Sequence, residues 1–149
     1  MVQELAALSS VINGGTYYQP HVVNRIVDDK GKTVKTIEPT VLKQTISPDI
    51  SAEIRDYMGM SVKSGTSKTS KVQGYSMGGK TGTAQKIPRG SGKYLVSFIG
   101  FAPLDDPQVV IYVVVDEPNA ERQDKQQVPT VHCSGVLSEI LPYMDIFPD

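Results

Sequence analysis

The spacing of hydrophobic residues predicts a helix at each end of the chain. Apolar residues at i, i+3 and i+7 from Leu5 share one face of a helix over residues 3–12. A similar pattern near the carboxyl end predicts a closing helix over residues 134–141 that packs on a sheet. We expect Pro142 to end that helix, since proline cannot donate the next backbone hydrogen bond.

A third helix is predicted in the first half of the chain. Ser47 can cap its first turn, Pro48 suits the geometry of that turn, and Gly65 is a suitable stop. One apolar stripe follows this helix, and we expect it to lie in the core. The stripe consists of Ile50, Ile54, Tyr57 and Met58.

Strand-forming residues predict a surface hairpin and three further strands. The hairpin joins residues 22–27 to residues 33–37 through a turn that contains Gly31. The three later strands are expected at residues 80–85, 94–101 and 108–115. A short Asp-Pro turn separates the last two, so they should pair antiparallel. The third strand is apolar at nearly every position, which predicts that both of its faces are covered.

Two polar stretches separate these elements. Residues 66–73 are rich in Ser, Thr and Lys, and we expect a loop that lies over a site. Residues 117–129 are rich in Gln, Asp and Arg and are expected to form an exposed excursion before the closing helix.

Composition places the chain among ordinary globular proteins. Its 149 residues are 39% hydrophobic and 21% charged, which fits one domain or part of a larger one. Fifteen basic and sixteen acidic residues give a net charge of −1, so nothing recruits nucleic acid or an anionic membrane. The longest apolar run, residues 109–115, is too short to span a membrane, and the chain alone is expected to be soluble.

The residues that could bind a metal do not form a recognisable site. Cys133 is the single cysteine, which excludes an internal disulfide, and we expect a small buried side chain. His21 and His132 have no partner at metal-ligand spacing and are expected to be structural. We predict neither a metal nor an organic cofactor.

The candidate chemistry lies in residues 78–86, which read GGKTGTAQK. Lys80 would supply a cation, Thr81 and Thr83 would supply hydroxyls, and Gly82 would let a ligand approach the backbone closely. A strand edge with these groups suits an anionic, peptide-like substrate. Lys-Thr-Gly is also the third signature motif of β-lactamases and penicillin-binding proteins.

The same segment fits a nucleotide-binding pattern. Residues 74–81 match G-x-x-x-x-G-K-[ST], and an apolar strand that ends in Asp116 resembles a second nucleotide-site element. A phosphate loop follows a buried strand and opens a helix. Residues 66–73 are polar, and Gly82 and Pro88 disfavour a helix, so we expect a strand here instead. A surface strand without chemistry is the other alternative.

Several motifs follow one another in a familiar order along nearly the whole chain. NGG at residues 13–15 and QPH at residues 19–21 come first, and the GGKTGTA strand is followed by a Gly/Ser loop, an FIGFAP strand, an Asp-Pro turn, a valine-rich strand and a last helix. This order resembles the carboxyl-terminal half of the transpeptidase domain of class B penicillin-binding proteins, of the division and sporulation type. It implies an α+β fold, with an antiparallel sheet flanked by helices, that is part of the serine β-lactamase/penicillin-binding-protein transpeptidase fold.

The resemblance also implies roles for the matching residues. Lys80 would favour a deprotonated relay hydroxyl and attract the terminal carboxylate of the substrate. Thr81 would hold that lysine and the strand, and Gly82 would let the substrate lie along the wall of the site. Thr83 would give its backbone N–H to the oxyanion hole and its hydroxyl to the carboxylate.

Two other motifs of that family are absent from the sequence. No serine has a lysine three residues later, and no asparagine has a serine two residues before it. These motifs supply the nucleophile, its base and a relay hydroxyl in the family. We therefore expect residues 1–149 to be the carboxyl-terminal part of an incomplete transpeptidase domain, inactive alone and unable to form a covalent penicillin adduct.

For the full-length protein, the resemblance implies a peptidoglycan D,D-transpeptidase that forms a serine acyl-enzyme with D-Ala-D-Ala stem peptides and binds β-lactams. It would act at the extracytoplasmic face of the bacterial cell membrane, tethered by an anchor outside this chain. Division or sporulation proteins are candidate partners, and nucleic acid is not. The alternatives are a non-catalytic cell-wall-binding or β-lactam-sensing module and, third, a P-loop nucleotide-binding protein.

Overall fold

The structure is a computed structural model that describes residues 1–148, in which contacts divide the chain into two units. The first unit is Met1–Ser51, and the second begins at Ala52. In chain order, the helices and strands are α1 Val2–Ile12, β1 Thr16–Tyr18, β2 Arg25–Val27, β3 Thr33–Thr36, β4 Val41–Gln44, α2 Pro48–Ser64, β5 Gly78–Gln85, β6 Tyr94–Ala102, β7 Val109–Asp116 and α3 Gln127–Tyr143. A short 3-10 helix, Lys68–Ser70, lies between α2 and β5.

The first unit contains α1 and two small antiparallel pairs of strands. β2 pairs with β3, and β1 pairs with β4. The predicted hairpin is confirmed, and Asp28 closes its turn by accepting hydrogen bonds from the backbone N–H groups of Lys30 and Lys32 at 3.0 and 2.8 Å. The sequence pattern missed β4, because its pairing with β1 depends on residues about 25 positions away.

The second unit contains one antiparallel sheet in the order β5-β6-β7. All three predicted strands are confirmed, and β6 pairs with β7 antiparallel as expected. The prediction that β7 is covered on both faces is wrong. Its apolar positions are only half-buried, and Val109, Ile111 and Val113, which share one face, pack against the core of this unit.

The core of the second unit lies where α3 packs against the sheet. Phe98 and Ala102 of β6 meet Cys133, Leu137 and Leu141 of α3, and all five are fully buried. Their burial removes a large apolar area from water, which stabilises this unit and fixes α3 relative to the strands. The prediction that Cys133 is buried is confirmed.

The apolar stripe predicted for α2 is not a core face. The helix occupies the expected residues, and Ser47 Oγ accepts from the backbone N–H of Ile50 at its start. Of the four residues of the stripe, Ile50 and Tyr57 are exposed, and Ile54 and Met58 are only half-buried. The buried positions of the helix include Ser51 and Gly59, which carry little hydrophobic signal.

The closing helix is longer than predicted. It begins at Gln127 rather than at residue 134, so the end of the polar excursion at 117–129 is helical. Pro129 lies in the first turn, where its missing N–H has no intrahelical partner to lose. Pro142 lies inside the helix, which ends one residue later at Tyr143, so the predicted stop is also wrong by that residue.

Candidate active site

The candidate site is built on β5, which carries the GGKTGT residues. β5 pairs through its whole length with β6, and in the described part of the chain it has no other strand neighbour. Its second edge is therefore available to an extended ligand. The backbone stays extended from Gly78 to Gln85, where a phosphate loop would open a helix, so the nucleotide-binding alternative is wrong.

Strand geometry divides the four predicted site residues between two faces. Lys80 and Gly82 lie opposite Ile99 and Ser97, whereas Thr81 and Thr83 lie on the other face, as the period of two requires. Gly82 lies close to Ser97, since a Cβ built on it would be 2.6 Å from Ser97 Oγ. Glycine at this position therefore keeps both the backbone and the neighbouring hydroxyl free of a clash.

Lys80 is an exposed cation on this strand. Its Nζ donates to the carbonyl oxygen of the next residue, Thr81, at 2.8 Å. An ammonium group has three donors, so this bond leaves others to meet an anionic ligand. Lys80 can thus supply a positive field on the open side of β5.

Thr81 is held inside the protein by the polar segment that precedes β5. Its side chain is buried, and its Oγ1 lies 3.4 Å from Thr66 Oγ1. This confirms that the segment predicted as a loop lies against the candidate site. Ser67 and Ser70 of the same segment are fully buried, and Ser70 Oγ donates to the Ser67 carbonyl at 2.7 Å. Satisfied polar groups therefore anchor this segment.

Thr83 is exposed and meets a residue that the sequence did not predict. Gln126 Nε2 donates to Thr83 Oγ1 at 3.2 Å across 43 positions of sequence. Gln126 immediately precedes α3, within the stretch predicted to be an exposed excursion. No local sequence pattern could reveal this pairing, because it depends on how α3 packs against the sheet.

The two partners of the threonines border one cleft beside β5. The cleft has a volume of about 440 Å³, and its lining includes Gly65, Thr66, Lys68, Thr69, Lys125 and Gln126. Two lysines and several neutral donors face it without a carboxylate among these lining residues. This composition suits an anionic or strongly polar ligand rather than an apolar one.

A charged network closes the far end of the same sheet. Lys86 Nζ contacts Asp116 at 2.9 Å and Glu117 at 2.8 Å, and Lys93 Nζ contacts Glu117 at 3.0 Å. The hydrogen bonds that Glu117 accepts from Lys86 and then Lys93 lower the pKa of Glu117, and those that Lys86 donates to Glu117 and then Asp116 raise the pKa of Lys86. These groups are exposed, so the network adds little to stability.

Other candidate chemistries find no support in the described residues. Within residues 1–148, no cluster of three or more His, Cys, Asp or Glu side chains could hold a metal ion. His132 Nδ1 lies 2.7 Å from the carbonyl oxygen of Val128, one turn earlier in α3, which fits a structural role. None of the helices described is both long and apolar enough to cross a membrane.

Comparison with known proteins identifies the family to which this chain belongs. Residues 1–132 match the family model described as "Penicillin binding protein transpeptidase domain". The chain is 42% identical to "Stage V sporulation protein D" of Bacillus subtilis over 153 residues, which cover 99% of this chain and 23% of that protein. It is 31% identical to "Penicillin-binding protein PbpB" of Mycobacterium tuberculosis, covering 79% of this chain and 19% of that protein.

Solved structures show the same fold. The D,D-transpeptidase domain of a peptidoglycan glycosyltransferase from Eggerthella lenta matches with a TM-score of 0.82 and 26% identity, covering 98% of this chain and 33% of that one. The transpeptidase domain of penicillin-binding protein 3 from Burkholderia pseudomallei matches with a TM-score of 0.80 and 29% identity, covering 99% and 43%. The chain thus spans about a quarter or less of the curated relatives named here, and less than half of these structures.

Proposed function

Because the chain belongs to the penicillin-binding protein transpeptidase domain family, we propose that it supplies one wall of the active site of a peptidoglycan D,D-transpeptidase. A relative in Mesostigma viride that is 30% identical carries the name "Peptidoglycan D,D-transpeptidase FtsI homolog". The reaction is acyl transfer from a D-Ala-D-Ala stem peptide through a serine acyl-enzyme. We assign residues 1–149 to the carboxyl-terminal part of the domain, and the serine belongs to a part of the protein outside this sequence.

The observation that carries this proposal is the exposed Lys80 on the open edge of a strand that also bears Gly82 and Thr83. The terminal carboxylate of the stem peptide carries a negative charge. Lys80 attracts that charge, and the exposed Thr83 hydroxyl binds a carboxylate oxygen. Gly82 leaves the backbone bare, so that an extended peptide can lie along the strand.

The reaction also needs a stabilised oxyanion. In the proposed mechanism, the backbone N–H of Thr83 is one donor to the tetrahedral intermediate, and the second donor comes from the nucleophilic serine. Lys80 favours the deprotonated form of the relay hydroxyl through its charge, and the buried Thr81 holds β5 in place. β-Lactams would bind to the same groups of Lys80 and Thr83, because they carry a carboxylate beside the reactive carbonyl.

The setting of the full-length protein follows from the same family. We propose that it acts at the extracytoplasmic face of the cell membrane, through an anchor outside this chain. Sporulation or division proteins are its proposed partners, and the name of the Bacillus subtilis relative favours the former.

Covalent labelling by a fluorescent penicillin tests the proposal. The full-length protein should form a stable adduct, and Lys80→Ala should slow its formation about 10²–10³-fold, the loss expected for one electrostatic group in such a site. Lys93→Ala is the matched control, since Lys93 is an exposed lysine that pairs with Glu117 at the other end of the sheet. It should change the rate less than about twofold.

Two results would count against the proposal. The first is a full-length protein that is never labelled. The second is a stable adduct on residues 1–149 alone, which would contradict a nucleophile outside this sequence.

A further inference from the structure

The side chain of Gln126 makes an unusual hydrogen bond for a residue at the start of a helix. Gln126 is the N-cap residue of α3, where a polar side chain often bonds the exposed N–H groups of its own helix. It makes no such bond. It reaches across to β5 instead and donates to Thr83 Oγ1 at 3.2 Å. The amide therefore serves the strand rather than the helix.

The backbone carbonyl of Gln126 accepts a hydrogen bond from a buried threonine of α3. Thr130 is fully buried, and its Oγ1 lies 3.1 Å from the carbonyl oxygen of Gln126. The same hydroxyl lies 2.6 Å from Thr69 Oγ1, in the segment that precedes β5. The start of α3 is thus hydrogen-bonded to the segment that also contacts Thr81, and this contact places Gln126 beside β5.

The direction of the Gln126 bond decides what the Thr83 hydroxyl can do. A threonine hydroxyl has one donor and two acceptor positions. When Gln126 donates to the oxygen, an acceptor position is used and the O–H proton remains available. A carboxylate can only accept, so a hydroxyl held in this way is prepared to donate to it.

We propose that Gln126 is a positioning residue that holds the Thr83 hydroxyl as a hydrogen-bond donor toward the terminal carboxylate of the substrate. The proposal rests on the function proposed above. Gln126 acts through Thr83 and does not itself touch the reacting atoms. Its contribution should therefore appear only with ligands that carry the carboxylate.

The experiment measures second-order acylation rates of the full-length protein with a penicillin and with the methyl ester of the same penicillin. Gln126→Leu keeps a similar volume but removes the donor. We expect the rate with the free carboxylate to fall about tenfold, the loss of one hydrogen bond to a charged group. The rate with the ester should change less than about twofold.

Two further variants make the result specific. Gln126→Glu replaces the donor with an acceptor that captures the Thr83 proton, so it should reduce the carboxylate rate at least as much as Gln126→Leu. Gln73→Leu is the control, because Gln73 is an exposed glutamine of the same unit that does not line the cleft beside β5. It should leave both rates unchanged.

A double variant tests whether Gln126 acts through Thr83. Thr83→Val keeps the backbone N–H and removes the hydroxyl, and adding Gln126→Leu to it should cause no further loss of carboxylate preference. Equal loss of both rates in Gln126→Leu, or a full additional loss in the double variant, would overturn the proposal. Either of these outcomes can be observed only if the penicillin acylates the wild-type protein. A wild-type protein that is not acylated would instead count against the proposed function itself.

Discussion

At the scale of single residues, the two threonines of the motif have opposite environments. Thr81 is buried with Thr66 beside its hydroxyl, whereas Thr83 is exposed with Gln126 beside its hydroxyl. The sequence shows two equivalent β-branched residues around Gly82. The sequence places both hydroxyls among the groups that face the substrate, but Thr81 is buried, so we propose that it positions the strand and that Thr83 binds the ligand.

The buried thiol of Cys133 predicts how the stability of the folded chain depends on pH. Burial raises the pKa of its thiol from 9.0 to about 12. Between these values, the unfolded chain releases a proton that the folded chain retains. Stability from the neutral thiol is therefore fully present below pH 9 and is lost as the pH rises toward 12.

Urea unfolding of the wild-type chain and of Cys133→Ala measures this effect. The difference in free energy of unfolding between the two should shrink by about 1.4 kcal/mol from about pH 8 to about pH 10. Other ionisable groups titrate in both proteins and cancel in the difference. A difference that stays constant over this range would show that the thiol is not desolvated.

At the scale of elements, the packing around two glycines of β5 predicts how alanine substitutions change the free energy of unfolding. A Cβ on Gly79 would clash with the buried ring of Phe98, whose neighbours leave it little room to move. Gly79→Ala should therefore lower the free energy of unfolding by about 1–3 kcal/mol, as overpacking does. A Cβ on Gly82 meets only Ser97 Oγ, which can rotate, so Gly82→Ala should cost about 1 kcal/mol.

Thermal or urea unfolding of these variants checks the order of the two effects. Ser97→Ala supplies the control, because it leaves the Gly82 Cβ with no contact closer than 4.0 Å. In that background, Gly82→Ala should lose most of its cost. Equal losses for Gly79→Ala and Gly82→Ala would contradict the packing shown here.

Local sequence pattern predicts these elements well where one periodicity or one turn decides the structure. The helix α1, the hairpin of β2 and β3, and the three strands β5, β6 and β7 are all confirmed within a few residues. The turn at Asp28 is an example, since its side chain bonds two nearby N–H groups and needs no distant partner. Such local chemistry is visible in the sequence.

The errors occur where distant packing decides. The start of α3 depends on Thr130, which bonds both its own helix and Thr69, about sixty residues earlier. The buried positions of α2 include small residues, so the stripe containing Ile50 and Tyr57 misled the prediction. In the candidate site, the sequence motif predicted Lys80, Thr81, Gly82 and Thr83. The contact between Gln126 and Thr83 is visible only in the folded structure, because the two residues are 43 positions apart.

At the scale of the whole molecule, we propose that the chain presents one wall of a site whose reactive serine lies outside this sequence. The relatives named above are several times longer than this chain. A wall of this kind can bind a carboxylate, but acyl transfer also needs a nucleophile within reach of the same carbonyl. The chemistry proposed here is therefore a property of the full-length protein.

The exposed apolar surface of the first unit gives the last prediction. A cavity of about 400 Å³ in this unit is lined mainly by apolar residues, including Val2, Leu5, Tyr18, Pro20 and Val22. The side chain of Val22 is fully exposed. Contiguous apolar surface of this kind favours association in water. The isolated chain should therefore sediment faster as its concentration rises, and Val22→Asp should weaken that dependence. Val34→Asp is the control, because Val34 is exposed on the hairpin but does not line the cavity. Sedimentation velocity measures all three, and a compact monomer at every concentration would contradict association through this surface.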